Sequence, residues 1–450
     1  MDPIWKPLLE GQPAARAREA VCAIAEALAV TCLPSAWRTG PWEGSHLASL
    51  SLGAPGPALL FGYLARSGLC RDSERPAALA ELYLDEAASA LATTPMSIGL
   101  FSGFSGVAWA SQHLSRLLGL AGDANGEIDD ILLKTLAQPP WRGDFDLGTG
   151  LAGIGVYALE RLPRATAVRC LVAVVERLTE TASIGERGVT WQTRPDLLPP
   201  HRRQEEPLGY FNLGVAHGVP GAISFLADAC HVEPCAHQAR YLLEGAVRWL
   251  LEQPRTGRPG FSFGKWISPS RGLLPAPRLG WCYGDPGVAG ALLYAARTIG
   301  DARWEAEALE IGRRAALVPC EEAGIADPAL CHGAIGLAHL YNRLYQATQE
   351  EIFAAAARSW YHEGLKMRNE GEGIAGFCSL PGSGATPGWA GDPGLITGAS
   401  GIALGLLAAI SDHEPEWDRL LRIAIPPVVL TAPANTAPAT PARRRARAAP

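Results

Sequence analysis

Two kinds of apolar pattern alternate along the chain. In the first, apolar residues recur at helical spacing among charged ones. In 236–253, Tyr241, Leu242, Ala246, Trp249 and Leu250 form a stripe, and Arg240, Glu244 and Arg248 lie off it. Segments 14–31, 76–92, 127–138, 164–182, 301–317 and 350–366 have the same character, which predicts helices with one face in water. In the second, a run is apolar nearly all round, as in Val288-Ala289-Gly290-Ala291-Leu292-Leu293-Tyr294, which predicts a helix buried on every side.

Each run of the second kind opens with Gly-x-x-Gly, at Gly53/Gly56, Gly103/Gly106, Gly150/Gly153, Gly218/Gly221, Gly284/Gly287, Gly333/Gly336 and Gly398/Gly401. The first glycines are 50, 47, 68, 66, 49 and 65 residues apart, the period of a helical hairpin with variable loops. Strict alternation of half-exposed and buried helices predicts an all-α fold, an α/α toroid with a double ring of about seven inner and seven outer helices. The glycine elements would then share one rim, bringing distant sequence positions together.

That rim concentrates the candidate chemistry. Cys282, in Trp281-Cys282-Tyr283-Gly284, and Cys331, in Leu330-Cys331-His332-Gly333, both stand two places before their first glycine; His217 and His332 stand one place before. Cys282, Cys331 and His332 make three soft ligands for zinc and leave a fourth position for water or substrate, the pattern of catalytic rather than structural sites. Either cysteine alone would read as a small core residue, and His217 as a helix cap. Shared placement on one rim favours the metal.

Composition narrows the class. With 450 residues, 48% hydrophobic, and a net charge of −6, the chain reads as one large repeat domain over 1–424. Residues 425–450 change to Pro, Ala and Thr and then Arg443-Arg444-Arg445-Ala446-Arg447, which predicts a disordered tail or, alternatively, an electrostatic tether to a membrane or acidic partner. No nucleic-acid partner is expected. The start Met1-Asp2-Pro3-Ile4-Trp5 lacks a basic segment leading into an apolar core, and the ten cysteines show no disulfide pattern; both fit a reducing cytoplasm, with a peripheral membrane position through a complex as a further expectation. The apolar run from Gly394 to Ile410 is interrupted by Gly, Ser and Thr and falls in the repeat frame, so an inner helix is expected rather than a transmembrane segment.

Other features are weaker. Cys230, His231, Cys235 and His237 follow an inner helix, which puts them at the opposite end, and their spacing matches no common zinc pattern. Cys378 sits in a long loop before the seventh repeat. The connection from Ala182 to Asn212 has strand character at 188–193 and would border the cleft, contact a leader peptide or merely close over the barrel end.

Ala216-His217-Gly218-Val219-Pro220-Gly221, Trp281-Cys282-Tyr283-Gly284 and Cys331-His332-Gly333, with Asp146 ahead of Gly150-Leu151-Ala152-Gly153, resemble the lanthionine synthetase C-like family, the cyclases of lanthipeptide biosynthesis. The resemblance spans roughly residues 14–410. It implies zinc-dependent addition of a precursor-peptide cysteine thiol to dehydroalanine or dehydrobutyrine, closing a lanthionine or methyllanthionine ring. It also implies His217 as acid/base, Asp146 orienting or charging that imidazole, Arg278 stabilising an enolate or positioning a carbonyl, and Tyr283 hydrogen-bonding near the reacting groups. The expected partners are a dehydrated precursor peptide with its leader, a dehydratase and an exporter. A non-catalytic thiol-binding or scaffold member of the family is the alternative, and a barrel glycosidase ranks last because the rim lacks the paired carboxylates that reaction needs.

Overall fold

Steric necessity explains the glycine elements. In the second to seventh elements a Cβ on the second glycine would fall on the carbonyl oxygen six residues upstream, 1.9 Å from that of Leu100 at Gly106 and 1.6 Å from that of Leu330 at Gly336, whereas at Gly56 it would meet the backbone of Gly394 and Leu395. Each of those six loops therefore folds back onto its own helix start so closely that only hydrogen fits. Gly284 needs glycine for a second reason, its φ of 100°.

The computed structural model describes residues 5–30, 45–69, 73–276, 278–380 and 391–426. The outer helices are α1 (Gly11–Val30), α3 (Glu74–Thr93), α5 (Gly126–Leu136), α7 (Ala165–Thr181), α9 (Ala236–Leu251), α11 (Ala302–Ala316) and α13 (Glu351–Lys366). The inner helices are α2 (Pro55–Arg66), α4 (Phe104–Leu118), α6 (Leu151–Glu160), α8 (Val219–Ala229), α10 (Asp285–Ile299), α12 (Ala334–Thr348) and α14 (Ala399–Ile410). Each inner helix packs on the next, and α14 packs back on α2, closing the ring. The outer helix α1 covers α14, so the first and last of these helices meet. The expected toroid is the observed fold.

The inner helices are buried along nearly their whole length, whereas the outer ones bury a stripe, as α9 does with Leu242, Leu243, Ala246, Val247 and Leu250. No helix among the described residues is long and apolar enough to cross a membrane. The run ending at Ile410 forms α14, one of the inner helices.

A belt of main-chain hydrogen bonds joins the glycine loops. The N–H of Ser51 donates to Phe101, Phe101 to Gly148, Gly148 to Ala216, Val215 to Cys282, Trp281 to Cys331, Cys331 to Ile396, and Ile396 back to Ser51, all within 2.9–3.1 Å. Buried backbone groups that the loops cannot satisfy internally are thus paired around a closed circuit. The belt fixes the height of every rim residue.

The opposite end is plugged. After α14 the chain crosses the inner-helix C-termini, a 3₁₀ turn at Glu416–Leu421 buries Trp417, Leu420 and Leu421, and the indole of Trp281 donates to the Leu421 carbonyl at 2.8 Å. Asp418 is bonded to Arg343 and His339, and Arg422 to Asp228. The lumen is a packed core rather than a channel.

Two small sheets are added to the helical frame. The hairpin β1 (Ser183–Gly185) and β2 (Gly188–Thr190) packs on α9, in the stretch with strand character. A second sheet, β3 (Phe211–Asn212), β4 (Gly264–Ser268) and β5 (Gly272–Pro275), is antiparallel and carries its own small core of Leu198, Tyr210 and Trp266. The connection from Ala182 therefore does more than close a barrel end: Asn212 in β3 leads directly into the rim loop of His217. The predicted tail lies outside the described residues from 427 onward.

Candidate metal centre

The loops of the fifth and sixth repeats are joined by the Trp281-to-Cys331 bond of the belt, and this brings the two thiols together. One donor atom from each of Cys282, Cys331 and His332 lies within 4.8 Å of the others, the one such group among the described residues. Cys282 and His332 are buried and Cys331 is half-buried.

The three groups compete for protons. The Cys282 thiol is held well below its ordinary range by a hydrogen bond from Cys331, helped by His332 and the Arg278 charge, against burial. Cys331 is pushed well above, because its neighbour carries the negative charge and burial adds to the cost. For His332, burial opposes the cation, but hydrogen bonds to Asp327 and Cys282 raise it to about 9. Two sulfurs and an imidazole converging in this way fit zinc, which takes thiolate and histidine donors and leaves catalytic sites with three protein ligands.

His332 Nε2 lies 3.2 Å from Asp327 Oδ2 in a buried pair. Arg278, in the loop leading to Cys282, has no hydrogen-bond partner for its buried Nε among the described residues. Its charge acts on both thiols.

His217 stands on the same rim, two repeats' loops away from Cys331. Its Nδ1 is 2.5 Å from Oδ2 of Asp146, which is 1% exposed, and its own side chain is 48% exposed. Desolvation of the ring among the rim loops disfavours the imidazolium, but the Asp146 carboxylate outweighs it and raises the group to about 9. Asp146 is itself fixed by the N–H and hydroxyl of Thr149, at 2.7 and 3.1 Å. Asp144, two residues earlier, is raised to about 7 by burial and by repulsion from Asp146. Tyr283 accepts a hydrogen bond from Asn212 Nδ2 at 3.1 Å, so its hydroxyl is braced by β3.

Other sulfur and imidazole groups lie elsewhere. His231 Nε2 bonds to the Thr298 carbonyl at 2.9 Å, and Cys235 Sγ points to the Ala229 carbonyl. Cys378 lies in the loop whose Leu380 N–H donates to Asp327, so that loop does border the site.

Sequence reasoning passed over Asp327, Asn212 and Asp144. A signal was available: six residues before the first glycine, six of the seven repeats carry a polar or charged side chain, namely Ser97, Asp144, Asn212, Arg278, Asp327 and Asp392.

Comparison with known proteins identifies the fold and the family. A solved structure named nisin cyclase matches with a TM-score of 0.69 at 19% sequence identity, over 88% of this chain and 96% of that one, a likeness of fold. The family profile described as lanthionine synthetase C-like protein matches residues 45–422, from the first glycine loop to the lumen plug. The chain belongs to the lanthionine synthetase C-like family.

Proposed function

We propose that the chain is a zinc-dependent peptide cyclase that adds cysteine thiols of a precursor peptide to dehydroalanine or dehydrobutyrine, forming lanthionine or methyllanthionine thioethers. One observation carries this: the Cys282, Cys331 and His332 donors converge on the rim that also bears the His217–Asp146 pair.

The ligands would be Cys282, Cys331 and His332. A free thiol, with a pKa of about 8.5, is mostly protonated at neutral pH, and zinc supplies the positive charge that ionises it. Addition joins the thiolate sulfur to the β-carbon, moves the double-bond electrons onto the carbonyl as an enolate, and leaves the α-carbon in need of a proton. Arg278 has an unpaired guanidinium N–H to offer the enolate oxygen. His217 delivers the proton. Its Nδ1 is engaged by Asp146, so the exposed Nε2 faces the substrate, and the raised pKa keeps that proton in place at neutral pH. Tyr283, braced by Asn212, borders the reacting groups.

The substrate in this reading is a dehydrated precursor with its leader, supplied by a separate dehydratase and passed to an exporter, in the cytoplasm or at the membrane through that complex. The test is mass spectrometry with thiol alkylation on a dehydrated precursor. Intact protein should remove alkylatable thiols without a mass change, while Cys331→Ala and His217→Ala should not. A zinc-loaded protein that fails to speed ring closure would favour a thiol-binding scaffold instead.

A further inference from the structure

Repeat seven shows what the residue six places before the first glycine does in this fold. Asp392 Oδ1 accepts the N–H of Gly394 at 2.7 Å, and Oδ2 accepts the hydroxyl of Thr397. The carboxylate thus clamps its own loop, two and five residues on. Repeat six repeats the clamp at the same offsets with different chemistry. Asp327 Oδ1 accepts the N–H of Ala329 at 3.0 Å, and Oδ2 meets Nε2 of His332 at 3.2 Å. Where repeat seven has a hydroxyl, repeat six has a metal-ligand imidazole.

Each imidazole nitrogen has one in-plane direction for a proton or a metal. Nε2 uses its own on Asp327, so Nδ1 is the nitrogen left for the centre shared with Cys282 and Cys331. We infer that Asp327 is a positioning residue that selects the Nε2–H tautomer of His332 and thereby governs how tightly the Cys282–Cys331–His332 trio holds a divalent cation. Carboxylates behind metal-bound histidines act in this way generally, orienting the ring and raising its basicity. Here the carboxylate is borrowed from a clamp the fold already needs. It also accepts the N–H of Leu380 at 3.2 Å, which links the loop before the seventh repeat to the ligand.

The inference rests on the metal reading above, and its sharpest probe is Asp327→Asn. Both carboxylate oxygens receive donors, from Ala329 on one side and His332 and Leu380 on the other. An amide can accept only on one side. Its NH2 must therefore oppose either a backbone N–H or His332 Nε2–H, and the latter drives the ring to the tautomer whose Nδ1 is blocked by a proton. Asp392→Asn makes the same change in a clamp without a ligand and serves as the control for loop damage.

The experiment is zinc affinity of the full chain by competition with a chromophoric chelator, with cobalt(II) substitution to read thiolate-to-metal absorption, and circular dichroism to check folding. Asp327→Asn should lose about 10- to 100-fold in zinc affinity, with altered cobalt bands, while Asp392→Asn stays at the wild-type value. On wild-type protein, a long-range ¹H–¹⁵N spectrum of the zinc form should show His332 protonated at Nε2 and metal-bound at Nδ1, a readout that needs no variant. Wild-type affinity in Asp327→Asn, an equal loss in Asp392→Asn, or the opposite nitrogen on the metal would each overturn the inference. A wild-type chain that binds no zinc would sink the proposed function along with it; an unaffected Asp327→Asn in a zinc-binding protein sinks this inference alone.

Discussion

Replacing Asp146 by Asn removes the charge that holds His217 protonated and leaves a neutral group of the same shape. With Asp146 in place, His217 sits at about 9, against an ordinary value of 6.5. At full weight that rise would be about 3.4 kcal/mol, taking about 1.36 kcal/mol for each tenfold change. The imidazole is 48% exposed, so solvent screening reduces the interaction to about 1–2 kcal/mol. Asp146→Asn should therefore lower the His217 midpoint by about one pH unit, measured by NMR titration of the imidazole Cε1–H. The same loss should appear in cyclisation rates: in the proposed mechanism His217 acts as the acid, so activity should fall as pH rises through its pKa, and the variant should lose activity at lower pH than the parent. Linkage gives the matching stability signature. The folded pKa lies above the unfolded one, so the pair's contribution is complete below about 6.5 and is lost as pH rises through about 9. A His217 midpoint unmoved by Asp146→Asn would refute the electrostatic account of the pair.

The remaining predictions concern the frame around the site. Gly336→Ala puts a Cβ 1.6 Å from a backbone oxygen and should cost about 4 kcal/mol or more; Gly290→Ala, whose Cβ would meet side-chain methyls alone, of Leu340 at 3.1 Å and Ile423 at 3.9 Å, should fold, and thermal melts of the two separate the cases. Trp281→Phe leaves the buried Leu421 carbonyl without its donor and should destabilise by about 1–3 kcal/mol in urea titration, whereas a loss near zero would mean that the lumen plug does not depend on that bond. Tyr283→Phe strands the fully buried Asn212 amide, for about 1–2 kcal/mol, yet should leave zinc content unchanged by elemental analysis; zinc loss would place Tyr283 among the ligands.

What the sequence made legible follows from the range of the forces involved. The glycine elements are imposed by a backbone contact within six residues, so they leave a mark at every repeat, and the apolar runs after them are the inner ring read directly. Because Cys282, Cys331, His332 and His217 hold set offsets from those glycines, their meeting on one rim was legible too. Features fixed by distant partners were not. The strand β4 does alternate, with Gly264, Trp266 and Ser268 buried, but its identity depends on Glu206, which accepts from the Trp266 indole and the Ser268 hydroxyl some 60 residues away in sequence. The lumen plug at Glu416–Leu421 has no repeat signature, and its place is set by Trp281 and the buried Arg343–Asp418 pair. Asp327 was hidden by its resemblance to an ordinary loop aspartate, which in repeat seven is all that Asp392 is.

X-ray absorption at the zinc edge, before and after addition of a peptide thiol, tests the central claim most directly. Two sulfurs at about 2.3 Å and one histidine nitrogen at about 2.0 Å are expected in the protein alone, with a third sulfur on adding the thiol and the two-sulfur signal lost in Cys331→Ala. A protein whose zinc has no sulfur neighbours, or whose spectrum ignores the added thiol, would contradict the account.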